Sequence, residues 1–263
     1  MGKLDNQVIV VTGAGSGMGK ATARQLAAAG ARVVLVGLAT DPLEEVVRGI
    51  VEAGGLALAQ AVDVTDGPAV EALVAGVVAD LGRIDALVNI AGANCRVMNP
   101  LYLSDADLQF VLDVNLVAVF RLARLVLPAM LERGQGTILT VSSLAADNPN
   151  LLGGAAYGAA KAGVRNFMSF LHNTFRGDGI RAITILPGEA DTPILDKRPR
   201  PPAPSERVNM LQPDDVAEAI VMALSLPPRA CAQEIVVCPT RTRDTSGDIA
   251  LSRHIGAPAN ERN

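Results

Sequence analysis

The feature that most constrains the fold of this chain is a regular alternation of two kinds of segment. Short runs rich in β-branched residues, bounded by Gly, Asp or Asn, alternate with longer segments rich in Ala, Leu and Val. This pattern is typical of buried parallel strands connected by helices. The short runs predict seven strands, at residues 7–12, 32–37, 56–62, 84–89, 136–142, 181–186 and 233–238. The longer segments predict helices near residues 17–30, 42–54, 66–81, 105–133, 155–177 and 213–226.

Successive strand–helix–strand units with right-handed connections form a doubly wound sheet. The sequence therefore predicts an α/β fold of the Rossmann type, a seven-stranded parallel sheet with helices on both faces. A chain of 263 residues fits one such domain, over residues 1–240. The substrate is expected to meet a loop at about 193–211, whose proline-rich and basic part, 196–207, breaks the alternation. Residues 241–263 are polar and aperiodic, which predicts a loose C-terminal tail.

Charge and cysteine content exclude several classes of function. The formal net charge of −4 argues against a nucleic-acid partner or an anionic membrane surface. Three cysteines without CxxC spacing and two histidines support neither a disulfide framework nor a zinc site, so no metal is predicted. Neither a leader pattern nor a long apolar run is found. The sequence thus predicts a cytoplasmic protein with no membrane partner.

A glycine-rich turn follows the first predicted strand. The letters TGAGSGMG, residues 12–19, place Gly13, Gly17 and Gly19 just before a helix, with Ser16 and Met18 between them. A dinucleotide pyrophosphate requires a tight turn, a backbone without Cβ atoms in the way, and a helix N-terminus facing the phosphates. The turn meets all three requirements. Its GxxxGxG spacing differs from GxGxxG, and an ordinary strand-to-helix turn remains the alternative.

Tyr157 and Lys161 lie four residues apart, which places them on one face of a predicted helix. That face continues through Val164, Met168 and Leu171, so Lys161 falls within an apolar stripe. Burying an unpaired ammonium is costly. A nearby cation can lower the pKa of a phenol and make it a usable acid or base. The structural alternative is a lysine that extends to solvent beside an unrelated tyrosine.

Taken together, the motifs resemble the short-chain dehydrogenase/reductase family over roughly residues 4–240. They occur in the family's order: the turn at 12–19, Asp63 and Val64, NIAG at 89–92, Asn115, Ser142 and Ser143, YGAAK at 157–161, and LPGEADTP at 186–193.

The resemblance implies a role for each catalytic residue. Tyr157 would be the general acid/base, and Lys161 would lower its pKa and hold the nicotinamide ribose. Ser143 would hydrogen-bond the substrate oxygen, and Asn115 would hold a water leading from Lys161 to solvent. As a structural alternative, Asn115 could be an ordinary buried amide.

The resemblance also implies contacts with the coenzyme. Asp63 and Val64 would meet the adenine, although Asp63 could instead cap the helix that follows Thr65. The remaining expected contacts are Asn89, Ala91 and Gly92 on the adenosine side, Pro187, Gly188 and Thr192 at the nicotinamide end, and Gly13, Ser16, Gly17, Met18 and Gly19 at the pyrophosphate.

The choice between NAD and NADP is read at the end of the second strand, where an acidic side chain favours NAD and a basic one accommodates NADP. Gly37 and Leu38 stand there, and Ser16 in the glycine turn is not basic either. Because no cation is evident to neutralise a 2′-phosphate, the sequence favours NAD and leaves NADP open.

The predicted function is hydride transfer between a nicotinamide and a small-molecule carbonyl or secondary alcohol. The alternative is a catalytically silent dinucleotide-binding regulatory or scaffold protein of the same fold. Apolar side chains near the active site, including Met98, Leu144, Leu151, Leu152 and Ile194, predict an apolar pocket. The basic residues of 196–207 could clamp an acidic substrate, but simple solvation is favoured. The family resemblance further implies a homo-oligomer, a tetramer or a dimer.

Overall fold

A seven-stranded, all-parallel sheet organises the protein, in a computed structural model that describes residues 2–259. The strands run in the spatial order β3-β2-β1-β4-β5-β6-β7. This order reverses between β1 and β4, where doubly wound sheets bind ligands. The strands are β1 (Val8–Thr12), β2 (Arg32–Gly37), β3 (Leu56–Ala61), β4 (Ala86–Asn89), β5 (Gly136–Val141), β6 (Ile180–Pro187) and β7 (Glu234–Val237).

Helices cover both faces of this sheet and divide the core in two. One core layer packs α1, α2 and α8 on the sheet through residues such as Leu26, Leu43 and Ile220, and the other packs α3, α5 and α6 through residues such as Val77, Leu122 and Met168. The helices are α1 (Gly17–Ala28), α2 (Thr40–Glu52), α3 (Gly67–Leu81), α4 (Asp105–Leu112), α5 (Ala118–Arg133), α6 (Ala155–Phe175), α7 (Pro204–Arg207), α8 (Pro213–Leu224) and α9 (Ser246–Ser252). The predicted doubly wound α/β architecture is confirmed.

The single helix predicted over 105–133 is interrupted. A π-helical turn over Asp113–Val117 separates α4 from α5, and Asn115 lies inside it. The side-chain amide of Asn115 donates hydrogen bonds to the carbonyls of Ala93 and Val111 at this turn. Hydrophobic periodicity cannot reveal such a local widening, because the apolar residues continue through it. π-Helical turns often occur at functional sites.

The prediction of a loose tail is wrong for residues 241–259, and residues 260–263 lie outside the described residues. Residues Ser246–Ser252 form helix α9, and Asp248 is only 4% exposed. Arg243 forms an ion pair with Asp248 at 2.6 Å, and Asn99 donates a hydrogen bond to the carbonyl of Arg253 at 2.8 Å. The segment packs through ion pairs and single contacts rather than an apolar stripe, so periodicity does not show it. Among residues 2–259, no helix has the length and apolar character needed to cross a membrane.

Candidate active site

The glycine turn and the loop after β4 face each other across the switch point of the sheet. A Cβ on Gly13 would lie 2.9 Å from Ala91 Cα, and Gly13 has a φ of +69°. A Cβ on Gly19 would lie 2.1 Å from the carbonyl oxygen of Gly13. Both positions therefore require glycine. The hydroxyl of Thr12 accepts hydrogen bonds from the backbone N–H groups of Ile90 and Ala91, at 3.0 and 3.1 Å, and holds the two segments together.

The turn provides a cradle that fits a dinucleotide pyrophosphate. Ser16 stands at the N-cap of α1 in an extended conformation, and within the described residues α1 has neither a side-chain cap nor an acidic residue in its first turn. Its N-terminal N–H groups and its positive dipole end are left for an anionic ligand. Gly17 packs close to the loop after β6, since a Cβ on Gly17 would lie 3.3 Å from Thr192 Cγ2.

The remaining expected coenzyme residues all lie along the carboxyl edge of the strands. Gly37 ends β2, and Leu38 after it is 77% exposed. Asn89 is buried at the end of β4, and its Oδ1 lacks a hydrogen-bond partner among the described residues, which leaves an acceptor for a ligand. Asp63 accepts hydrogen bonds from the N–H and hydroxyl of Thr65, both at 2.8 Å, whereas Asp66 caps α3. The capping alternative for Asp63 is therefore wrong.

Lys161 is buried beside Tyr157 and does not reach solvent. Its side chain is buried, its Nζ donates to the carbonyl of Val141 at 2.9 Å, and it lies 5.5 Å from the centroid of the Tyr157 ring. Burial lowers the pKa of Lys161 to about 8. The alternative of a lysine that extends to water is wrong, because Lys161 is 3% exposed. A Cβ on Gly92 would lie 3.7 Å from Lys161 Nζ and 3.1 Å from Asn115 Oδ1, so these three residues adjoin.

The net shift of the Tyr157 phenol is opposite to the one expected from its neighbour. Burial raises the pKa of Tyr157, while a hydrogen bond with Ser143 and the charge of Arg198 act in the other direction without reversing it. Lys161 makes its hydrogen bond to Val141 rather than to the phenol. In this state Tyr157 therefore keeps its proton at neutral pH.

Ser142 and Ser143 separate into two roles. The Ser142 hydroxyl is buried and donates to the carbonyl of Lys161 at 2.9 Å, which ties α6 to the end of β5. Ser143 lines the cavity with Tyr157, and its Oγ accepts a hydrogen bond from the Ala145 N–H at 3.1 Å. Ser143 is thus the serine available to a substrate. The hydrogen bonds of Asn115 are those of a buried structural amide, and its role in holding water stays a prediction.

A cavity of about 490 Å³ opens above Tyr157 and Ser143. Met18, Pro187, Gly188 and Thr192 reach it from the expected coenzyme residues, and Met98, Leu144, Leu152 and Ile194 supply an apolar wall, whereas Leu151 does not line it. Cys95 also lines it, but its thiol is buried, donates to the Val97 carbonyl at 3.1 Å and has a raised pKa because of burial. A thiolate nucleophile is thereby disfavoured.

Sequence reasoning missed the ionic wall of this cavity. Glu189 accepts hydrogen bonds from Arg198 and Arg243, and Arg243 belongs to the C-terminal segment expected to be loose. The prediction that the basic residues of 196–207 are merely solvated is wrong for three of them: Arg198 pairs with Glu189, Arg200 with Asp248, and Arg207 with Asp191. The sequence signal that could have revealed this ionic wall is Glu189, an acidic residue within the motif LPGEADTP that follows a buried strand.

Comparison with known proteins agrees with this geometry. The family model described as short chain dehydrogenase matches residues 7–202. This chain belongs to the short-chain dehydrogenase family. A cis-4-hydroxycyclohexanecarboxylate dehydrogenase from Sinomonas cyclohexanicum is 37% identical over 83% of this chain and 89% of its own length.

Two solved structures show the same architecture. A metagenomic short-chain oxidoreductase in complex with NADP has a TM-score of 0.79 at 35% identity, covering 91% of this chain and 100% of that one. A variant of the actinorhodin polyketide ketoreductase with NADPH has a TM-score of 0.81 at 32% identity, covering 91% of this chain and 98% of that one. The short-chain dehydrogenase is therefore an oxidoreductase of a nicotinamide-binding fold.

Proposed function

We propose that this short-chain dehydrogenase transfers hydride between a nicotinamide coenzyme and a carbonyl or secondary alcohol, with Tyr157 as the general acid/base. The observation that carries the proposal is the meeting of three groups at one end of the cavity. Tyr157 and Ser143 line the cavity together, and the buried ammonium of Lys161 lies 5.5 Å from the centroid of the Tyr157 ring. Neither the geometry nor the relatives support the alternative of a catalytically silent protein.

The residues fit a nicotinamide dinucleotide along the carboxyl edge of the sheet. Gly13, Gly17 and Gly19 with the open N-terminus of α1 would hold the pyrophosphate. Asn89 Oδ1, which has no hydrogen-bond partner within residues 2–259, would face the adenosine side. Pro187, Gly188 and Thr192 would support the nicotinamide end, beside the cavity that they line. When bound, the nicotinamide would give up or accept the hydride.

In the reduction direction, Tyr157 would pass its proton to the carbonyl oxygen as the carbonyl carbon accepts hydride. The raised pKa of Tyr157 supports this role, because a phenol that holds its proton at neutral pH is ready to donate it. Ser143 would donate a hydrogen bond to the same oxygen and stabilise the charge that develops on it. Lys161, still largely protonated at pH 7 with a pKa of about 8, would stabilise the resulting phenolate.

We propose NAD as the preferred coenzyme. Support comes from the end of β2, where Gly37 and the exposed Leu38 offer no cation to a 2′-phosphate. Lys20, one turn into α1, already pairs with Glu45 at 2.8 Å. Because two similar solved structures hold NADP or NADPH, fluorescence titration with NADH and NADPH is the deciding measurement. Tighter binding of NADPH would overturn this preference.

We also propose a homo-oligomer built through α5 and α6. Phe120 on α5 stacks on Phe167 of α6 with ring centroids 3.6 Å apart, yet Phe120 remains 44% exposed and Phe170 remains 57% exposed. Exposed aromatic patches of this kind favour self-association. Light scattering should report a dimer or a tetramer, and Phe120→Asp should yield a smaller species. A monomeric wild type would contradict the proposal.

The function is tested by following oxidation of the reduced coenzyme in the presence of a panel of ketones. The panel contains simple neutral ketones, keto derivatives of hydroxysteroids and 4-oxocyclohexanecarboxylate. Wild type should reduce at least one of them, and Tyr157→Phe should lower kcat by roughly 10²–10⁴-fold because it removes only the acidic hydroxyl. Coenzyme affinity, measured by fluorescence, is the control and should stay near the wild-type value. Turnover of none of these compounds or of the matching alcohols, or an unchanged kcat in Tyr157→Phe, would overturn the proposal.

A further inference from the structure

The cavity above Tyr157 has an unequal distribution of charge. Its lining includes four cationic side chains and two anionic ones, all contributed by the loops after β6 and β7: Lys197, Arg198, Arg241 and Arg243 against Glu189 and Glu206. The opposite wall is apolar, with Met98, Leu144 and Leu152. A ligand suited to this space has a hydrocarbon body and a negative charge on one side.

Arg243 is not the residue that would bind such a charge, because its donors are already used. Its Nε and Nη2 donate to Glu189 at 2.9 and 2.7 Å, and its Nη1 lies 2.6 Å from Asp248 Oδ2 and 3.4 Å from Glu206 Oε1. The side chain is only 8% exposed. Arg243 therefore serves to fix Glu189 in place.

Arg198 has donors to spare. Within the described part of the chain its guanidinium makes one hydrogen bond, from Nη1 to Glu189 Oε1, whereas the group carries five N–H donors. Arg243 has two further carboxylate partners, Asp248 and Glu206, whereas Arg198 shares Glu189 with Arg243 and has no other ion pair within residues 2–259. Arg198 is therefore the cation of this wall with guanidinium donors left for a ligand. Glu189 stays ionised, because Arg243 and Arg198 hold its pKa below the usual value despite its burial.

Arg198 also lies within electrostatic reach of the reacting group. It lines the same cavity as Tyr157, and its charge acts to lower the pKa of that phenol. Its side chain is 17% exposed, so an anion bound there would be partly shielded from water. Charge-assisted hydrogen bonds to a planar guanidinium are stronger than neutral ones and match a carboxylate well.

We infer that the substrate is a keto acid or hydroxy acid whose carboxylate binds Arg198 while its carbonyl or hydroxyl oxygen meets Tyr157 and Ser143. This inference rests on the proposed function and adds the substrate class to it. Glu189 and Arg243 are positioning residues that hold the guanidinium toward the cavity. Lys197, which is exposed and makes no ion pair within residues 2–259, stands at the rim beside it.

The test is calorimetric titration of the coenzyme-saturated protein with two isosteric probes, cyclohexanecarboxylate and cyclohexanecarboxamide. Wild type should bind the carboxylate at least about tenfold more tightly than the amide, which corresponds to about 1.4 kcal/mol. Arg198→Gln should bring the two affinities to within about threefold, and Arg198→Lys should restore part of the difference. Glu189 keeps Arg243 in both variants, so its carboxylate is not left unpaired.

Lys197→Gln is the matched control, since it removes the same formal charge from the adjacent residue at the solvent-exposed rim. It should change the affinity ratio by less than about threefold, because exposed charges are screened. Equal binding of the two probes by wild type, or an equal loss in Lys197→Gln and Arg198→Gln, would overturn the inference. So would a loss of coenzyme affinity in Arg198→Gln without a change in the probe ratio, since Arg198 would then serve the coenzyme.

Turnover of cyclohexanone, which has no charge, separates the two proposals. If cyclohexanone is reduced and the probes bind equally, the proposed function stands and the carboxylate site is wrong. If the carboxylate is preferred through Arg198 but no ketone or alcohol is turned over, the carboxylate site stands and the proposed function is wrong.

Discussion

Replacing Lys161 with Met should reveal how much the buried ammonium of Lys161 lowers the free energy of unfolding. Burial lowers the pKa of Lys161 from 10.5 to about 8. A lysine with a folded pKa below its unfolded value binds its proton more weakly in the folded state, so the unfolded chain carries more protons between these two values. Stability therefore rises with pH in this window, and the cost is fully present below pH 8. It is about 3 kcal/mol at pH 7, since one pKa unit corresponds to 1.36 kcal/mol.

The substitution removes this titration and leaves a shape of similar length. It also removes the hydrogen bond from Nζ to the carbonyl of Val141. That loss costs about 1–3 kcal/mol, and it does not depend on pH while a neutral amine can also donate. From pH 7 to pH 9.5, the unfolding free energy of wild type should therefore rise by about 2 kcal/mol relative to that of Lys161→Met.

Urea unfolding at pH 7, 8, 9 and 9.5 measures this difference directly. Tyr157 does not interfere, because burial raises its pKa above the ordinary value of 10. The other lysines titrate in both proteins and cancel. A difference that stays constant within about 0.5 kcal/mol, the size of an ordinary surface substitution, would refute the claim that the ammonium of Lys161 is desolvated.

Two further substitutions test the coenzyme cradle and the C-terminal segment. Gly19→Ala places a Cβ 2.1 Å from the Gly13 carbonyl oxygen, so NADH affinity should fall at least about tenfold and stability by about 1–3 kcal/mol. Gly76→Ala, in the interior of α3 with nothing within 4 Å of the new Cβ, should leave NADH binding intact and stabilise the fold by about 0.5–1 kcal/mol. Equal effects of the two glycine variants in fluorescence titration would contradict the cradle. Asp248→Asn removes the partner of Arg200 and Arg243, and urea unfolding at pH 7 should show a loss of about 3 kcal/mol, against little change for the exposed Asp80→Asn. Because these arginines lower the pKa of Asp248, its contribution is present above the unfolded pKa of 3.8 and disappears as pH falls through the lower folded value. A loss that persists unchanged below that value would contradict the ion-pair explanation.

The five central strands of the sheet were predictable because each is buried on both faces and therefore appears as an apolar run. The edge strands β3 and β7 are partly exposed. Val33 to Val36 in β2 and Ile183 to Leu186 in β6 are fully or nearly fully buried. Helix ends at Gly82 and Gly134 were marked by glycines that adopt positive φ. These signals are local, so one sequence is enough to detect them.

Features that depend on pairing between distant segments were not predictable. Arg243 contacts Glu189 across 54 positions, and neither residue belongs to a periodic pattern. The π-helical turn around Asn115 is accompanied by a hydrogen bond from the Asn115 side chain to the carbonyl of Ala93, which lies 22 positions earlier. The direction of the Tyr157 pKa shift depends on the balance between burial and two neighbouring side chains, Ser143 and Arg198. The four-residue spacing of Tyr157 and Lys161 shows that these two residues adjoin, but it does not reveal that balance.

Single-turnover kinetics test the central claim most directly. Protein loaded with reduced coenzyme deuterated at the transferring position is mixed with the best ketone of the panel, and coenzyme oxidation is followed by absorbance while mass spectrometry follows deuterium in the product. The account predicts that wild type transfers the deuterium to the carbonyl carbon in one burst, and that Tyr157→Phe binds the coenzyme but reacts roughly 10²–10⁴-fold more slowly. A product without deuterium, or a burst in Tyr157→Phe as fast as that of wild type, would contradict it.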